Sequence, residues 1–150
     1  MLSNKAKYAL KAVLMLTRKY ASKEPVLIAE IAEKESIPKK FLEAILLELK
    51  NKGFLKSKKG KGGGYLLARS PNQISFGEVI GIFENPLEGL PCLDAKMDSR
   101  CAECKRDSVC GIQMVMREVY QTTSSILNLT SFQDVHDRMR NTSQEMMYFI

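Results

Sequence analysis

The sequence predicts a mainly α-helical fold with one small β-hairpin. Three observations carry that prediction. Apolar residues recur at helical spacing through most of the chain, a single pair of short strand candidates flanks a run of lysine and glycine, and a long, weakly charged apolar stretch near the end is helical in period. At 150 residues the chain holds one ordinary core, or a small domain with an appended oligomerisation element, and two large domains are excluded. With 45% apolar and 27% charged residues the composition is that of a folded protein.

Ser3 or Asn4 can cap a first helix of about residues 4–21, in which Ala9, Leu10, Val13, Leu16 and Tyr20 form an apolar stripe. Pro25 interrupts it. IAEIAEK, from Ile28 to Lys34, predicts a second helix of about two turns. After a tight connection, PKKFLEAILLELKNKGF predicts a third, with Pro38 in its first turn and Gly53 at the position just past its end. Its buried stripe is Leu42, Ile45, Leu46 and Leu49, which leaves Lys39, Lys40, Glu43, Leu47 and Lys50 nearer the outside. Two short helices joined by a tight turn have the layout of a helix-turn-helix.

In FLKSKKGKGGGYLL, the strand candidates Phe54 to Lys56 and Tyr65 to Leu67 predict a hairpin whose tip holds only lysine, serine and glycine and so packs no core. Lys58, Lys59 and Lys61 would meet a phosphate backbone, and one of them could enter a minor groove. Glycines at the tip, Gly62 and Gly63 among them, let the backbone approach a surface closely. A phosphate-cradling P-loop is excluded, because the run lacks its lysine-serine/threonine ending and leads into no helix. Helix-turn-helix plus basic wing makes a winged helix, over residues 1–84 with the wing at 54–67.

Ser75 and Glu78 form a capping box that opens SFGEVIGIFE, and this helix ends before Asn85-Pro86. A cysteine-rich loop follows over 85–110. From Gly111, IQMVMREVYQTTSSILNL carries Ile112, Val115, Met116, Val119, Ile126 and Leu129, which predicts a long helix buried on one broad face. A small domain cannot cover such a face alone, so the helix is read as a dimerisation element. Thr130 and Gln133 make another capping box for a final helix to about Arg140, so that 111–140 holds both helices and 141–150 is a tail with an apolar end.

Charge divides the chain. Residues 1–70 hold 16 Lys/Arg against 6 Asp/Glu, net +10, and residues 71–150 hold 7 against 11, net −4. A basic first half suggests a polyanion-binding module joined to a different function. The N-terminus scatters lysines where a secretion signal would be uninterrupted, and no stretch approaches the roughly 18 apolar residues of a membrane span. A cytoplasmic protein without membrane contact is expected, in a compartment where thiols stay reduced.

All four cysteines lie in CLDAKMDSRCAECKRDSVC, as Cys92, Cys101, Cys104 and Cys110. Their neighbours are Asp, Lys, Arg, Ser and Glu, so they are not buried small hydrophobes. One CxxC, two irregular partners and no nearby histidine fit structural zinc less well than an iron-sulfur cluster, which needs four ligands and accepts varied spacing. Lys96, Arg100, Lys105 and Arg106 would offset the charge of a thiolate-ligated cluster. Zinc and a thiol switch stay open as alternatives. An enzyme is not expected, since no thioredoxin-like βαβ pattern surrounds the CxxC and no acid-base pair is evident.

KAKYAL at 5–10, the helix pair, GKGGGYLLARSPNQISFGEVI at 60–80 and a cysteine loop between two helices together resemble the bacterial Rrf-two-type transcription regulators, over about residues 1–135. That family includes IscR-like iron-sulfur and NsrR-like nitric-oxide-sensing repressors. The resemblance implies a homodimer bound to double-stranded promoter DNA with inverted-repeat half-sites, and a cluster loop that tunes affinity. By position, Lys40, Glu43 and Ala44 match the face that reads bases, and Lys59 matches the wing residue in the minor groove. Where relatives place a histidine ligand this chain has Gln113, and where others place an N-terminal aspartate it has Lys7. Cys101 is the natural replacement, in a [2Fe-2S] or a [4Fe-4S] site. A family branch without a cluster acts through a protein partner or thiol oxidation instead.

Overall fold

A computed structural model of the chain describes residues 2–84, 93 and 110–148, with 143–148 described by backbone alone. Among these, six α-helices, one 3-10 turn and one two-stranded antiparallel sheet follow in the order α1 (Asn4–Arg18), α2 (Ile28–Glu35), α3 (Lys39–Asn51), β1 (Leu55–Lys58), β2 (Gly64–Leu67), the 3-10 turn (Pro71–Gln73), α4 (Phe76–Phe83), α5 (Gly111–Leu129) and α6 (Phe132–Tyr148). The mainly helical class with one hairpin is as the sequence predicts.

α1 is the central helix and packs against α3, α4, α6 and β2. Ser3 caps it, its hydroxyl accepting from the Ala6 N–H at 3.1 Å. Ala6, Ala9 and Ala12 are fully buried, and their small side chains let neighbouring helices come close; the buried Thr17 hydroxyl donates to the Val13 carbonyl at 2.9 Å. The helix stops at Arg18, short of the expected 21, so Tyr20 leaves the stripe and is exposed. The reason lies outside the helix. Residues 19–23 tighten into turns, with Lys23 at φ 54°, and carry the chain to Val26, which exchanges both backbone hydrogen bonds with Tyr65 at 2.9 Å.

Ser36, at φ 53°, ends α2 in the left-handed conformation, and the following Ile37 N–H donates to the Ala32 carbonyl at 2.9 Å. That places α3 in a tight turn's reach of α2. Leu42, Ile45, Leu46 and Leu49 are all fully buried, as their spacing predicts, each contributing about 1.5–3 kcal/mol by leaving water. Gly53, at φ 80°, closes α3 and turns the chain into β1. The strand register pairs Leu55 with Leu67 and Lys58 with Gly64, so Lys58 belongs to the strand end rather than to the tip.

The capping box at Ser75 and Glu78 forms, with bonds of 3.2 and 2.8 Å. The second expected box does not. Thr130 remains the end of α5, its hydroxyl donating to Ile126 at 2.7 Å, and Ser131 caps α6 instead, accepting from the Asp134 N–H at 3.1 Å. The Ser131 hydroxyl and N–H in turn hold the Asp134 carboxyl below its ordinary value. The shift by one residue drops Phe132 into the core, fully buried and stacked on Phe76 with ring centroids 4.4 Å apart. α6 also continues through Tyr148, well past Arg140 and into the tail.

α5 departs most from expectation, because none of its residues is buried within the chain. Its inner face leans on α4, where Gly77 leaves no room for a side chain against Asn128. The outer face holds Ile112, Val115, Val119, Thr122, Ile126 and Leu129, spaced alternately by three and four residues, with Ile112 71% and Leu129 82% exposed.

Candidate nucleic-acid interface and cysteine segment

α3 begins without a side-chain cap and without an acidic residue in its first turn. Lys39 and Lys40 stand there instead, so two cations sit at the positive end of the helix dipole. That arrangement is unfavourable for the isolated helix and favourable for an anion placed against it. Farther along, Phe41, Glu43, Ala44, Leu47 and Lys50 are exposed on the same helix.

β1 packs against α3 and carries the chain to the wing. At the tip the Gly63 N–H donates to the Gly60 carbonyl at 2.9 Å, and Gly60 and Gly62 take φ of 91° and 75°. Lys59, Lys61 and Gly62 are exposed there, and Lys58 is exposed at the strand end beside it. Gly63 is buried beneath the turn, with no room for a side chain against the Lys58 and Gly60 carbonyls. It shapes the tip rather than facing outward.

Ion pairing separates the cations into two groups. Lys5, Lys11, Arg18, Lys34 and Arg69 pair with Glu48, Glu35, Glu35, Glu30 and Glu78. Lys39, Lys40, Lys50, Lys52, Lys56, Lys58, Lys59 and Lys61 are exposed and, among the described residues, have no ion pair. Lys7, Lys19, Lys23, Arg117, Arg138 and Arg140 are likewise exposed with no ion pair among the described residues, but only between residues 39 and 61, from the start of α3 to the end of the wing, do eight such lysines follow one another without a paired cation among them.

Behind this surface, Lys5 reaches Glu48 of α3 at 2.7 Å and lies 5.0 Å from the Phe83 ring of α4, while the Ser3 N–H donates to the Glu84 carboxylate. The start of α1 therefore joins α3 to the end of α4, just before the cysteine segment. Periodicity within one helix gives no sign of these contacts.

Of the four cysteines, Cys92, Cys101 and Cys104 lie outside the described residues, as do Lys96, Arg100, Lys105 and Arg106. Cys110 is half-buried at the N-cap of α5, whose first turn has no acidic residue. Its side chain makes no capping hydrogen bond to the first turn of this 19-residue helix. Gln113 is half-buried on α5 one turn later, and Lys7 is exposed on α1.

Residues 2–138 match the Rrf2 family, described as iron-dependent transcriptional regulators. An rrf2-like HTH-type transcriptional regulator of Rhodobacter capsulatus is 34% identical over 137 residues, covering 90% of this chain and 91% of that one. Among solved structures, IscR of T. potens aligns with a TM-score of 0.74 at 23% identity, over 93% of this chain and 88% of its own. CymR, the global cysteine regulator of B. subtilis, aligns with a TM-score of 0.75 at 23% identity, over 92% and 97%. These two share the fold. No helix among the described residues is long and apolar enough to cross a membrane. The family match and the relative's length and identity place this chain in the Rrf2 family: it is a transcriptional regulator, not an enzyme.

Proposed function

We propose that the chain acts as a homodimer on inverted-repeat promoter DNA, and that an iron-sulfur cluster held by Cys92, Cys101, Cys104 and Cys110 modulates its binding. The observation that carries the DNA interface is the run of unpaired lysines from Lys39 to Lys61, ending on a wing whose glycines let the backbone come close. α3 is the element for the major groove and the wing the element for the backbone and minor groove.

The homodimer rests on α5. Its outer stripe repeats every three and four residues like a coiled-coil seam, and an isologous contact would cover the same stripe on both copies. Replacing Val119 and Ile126 together by lysine is expected to convert a dimer to a folded monomer in sedimentation velocity. A variant that still sediments as the wild type would remove α5 from the interface.

Support for the cluster comes from the four-thiol segment, the position of Cys110 and the family's iron dependence. The cluster would supply a centre sensitive to redox state and to small oxidants. The chain's own part would be to supply the four cysteine ligands, with Cys110 at the start of α5 linking the site to the dimer's spacing of the two α3 helices, about 34 Å in B-DNA. Anaerobic purification with iron and sulfide quantification and a visible spectrum, followed by DNA binding with and without the cofactor, tests the proposal. Visible absorption with matching iron and sulfide supports it. A colourless protein holding zinc, or metal-free protein whose DNA binding responds to thiol oxidation, overturns the cluster in favour of those readings. Cys101→Ser is expected to lower iron content and absorbance severalfold; an unchanged spectrum would take Cys101 out of the ligand set.

A further inference from the structure

The outward strip of α3 is apolar at its centre. At 100° per residue, Lys40, Ala44, Leu47 and Asn51 fall on one line opposite the buried Leu42, Ile45, Leu46 and Leu49. Phe41 and Glu43 flank that line on either side. Leu47 is 53% exposed and Phe41 59%, on a helix with lysines at both ends.

A single exposed leucine is ordinary. Two outward apolar residues on the centre line of the helix that carries the unpaired lysines are a different matter, because polyanion binding would press that line against base edges. Neither Ala44 nor Leu47 can donate or accept a hydrogen bond. Against the donors and acceptors of guanine, adenine or cytosine they would only strip water without replacing it. The major groove offers one apolar group, the 5-methyl of thymine. Glu43, beside the line, is an acceptor suited to the cytosine amino group.

We propose that Ala44 and Leu47, with Phe41 at their side, read thymine methyl groups in the half-site, next to a cytosine read by Glu43. The proposal rests on the DNA-binding reading above and assigns its base preference.

The test begins with selection of duplexes from a random-sequence pool by the full-length protein, and then replaces each thymine of the selected site by deoxyuridine, which removes only the methyl. Fluorescence anisotropy is expected to show one or two thymines per half-site whose replacement weakens binding about fourfold each, the effect of one buried methyl-sized group. Leu47→Ala should erase the response at one of these positions while binding the uracil duplex as the wild type does. Because Leu47 is exposed, its melting curve should not move. If the protein binds its selected duplex and no uracil replacement matters, the thymine reading is overturned while DNA binding stands. If no duplex is enriched, the DNA-binding reading itself fails, and α3 faces a protein instead.

Discussion

Replacing Lys59 and Lys61 together by alanine is expected to weaken binding to duplex DNA of any sequence by about 10- to 100-fold near physiological salt. The slope of log affinity against log salt should become shallower by about 2, one for each lost phosphate contact. The expectation follows from where these side chains stand. Both are exposed at the tip of the wing and neither holds an ion pair. Their removal costs the fold nothing, so thermal unfolding should be unchanged. Where these lysines meet phosphate, specific and non-specific duplexes should lose affinity in the same proportion. Anisotropy at four or five salt concentrations measures both quantities, and an unaltered slope would take the wing out of the interface.

Phe132→Ala is expected to cost about 3–5 kcal/mol of stability, the range for deleting a buried aromatic ring. Among the described residues of α6 it alone is buried. Its ring stacks on Phe76 at 19° between planes, and its N–H donates to the Ile74 carbonyl at 3.0 Å. The backbone bonds survive the substitution, but the helix loses its one apolar anchor in the core. Urea unfolding followed by circular dichroism, at fixed protein concentration because the proposed dimerisation would shift the midpoint, measures the loss. Phe132→Leu should recover more than half of it. A cost below about 1 kcal/mol would mean that α6 is held chiefly by other contacts.

Local pattern made several features legible in advance. The α3 stripe, the Ser75 and Glu78 box and Gly53 at the end of α3 all depend on residues within one turn of each other. The failures have a common cause. In TSFQD, Thr130 with Gln133 and Ser131 with Asp134 are overlapping capping patterns, and the choice between them is made by residues 74–76, which pair with 130–132 through Phe76 N–H to the Thr130 carbonyl and Phe132 N–H to the Ile74 carbonyl. α1 stops before Tyr20 because Val26 must reach Tyr65. The bond from Ser3 to Glu84 spans 81 residues, beyond any periodic signal. For α5 the pattern revealed an apolar stripe but not that the chain's own core would leave it uncovered.

At the candidate site, the lysines of α3 and the wing were legible as a basic run. Which of them lack a carboxylate partner was not, since Lys5 and Lys34 look no different in sequence from Lys39 and Lys59. The burial of Gly63 was equally hidden, because a run of glycines does not say which one turns inward.

The rung between Val26 and Tyr65 sets a limit on reach. It braces the hairpin from the side, so the wing is stiff as far as the Lys58 and Gly64 pair, and only residues 59–63 extend beyond it. Five residues folded back on themselves project about 8 Å, close to the roughly 7.5 Å depth of a minor groove. In the DNA-binding mode proposed above, a shorter tip would stop at the phosphates, and an unbraced one would retreat from the groove instead of entering it.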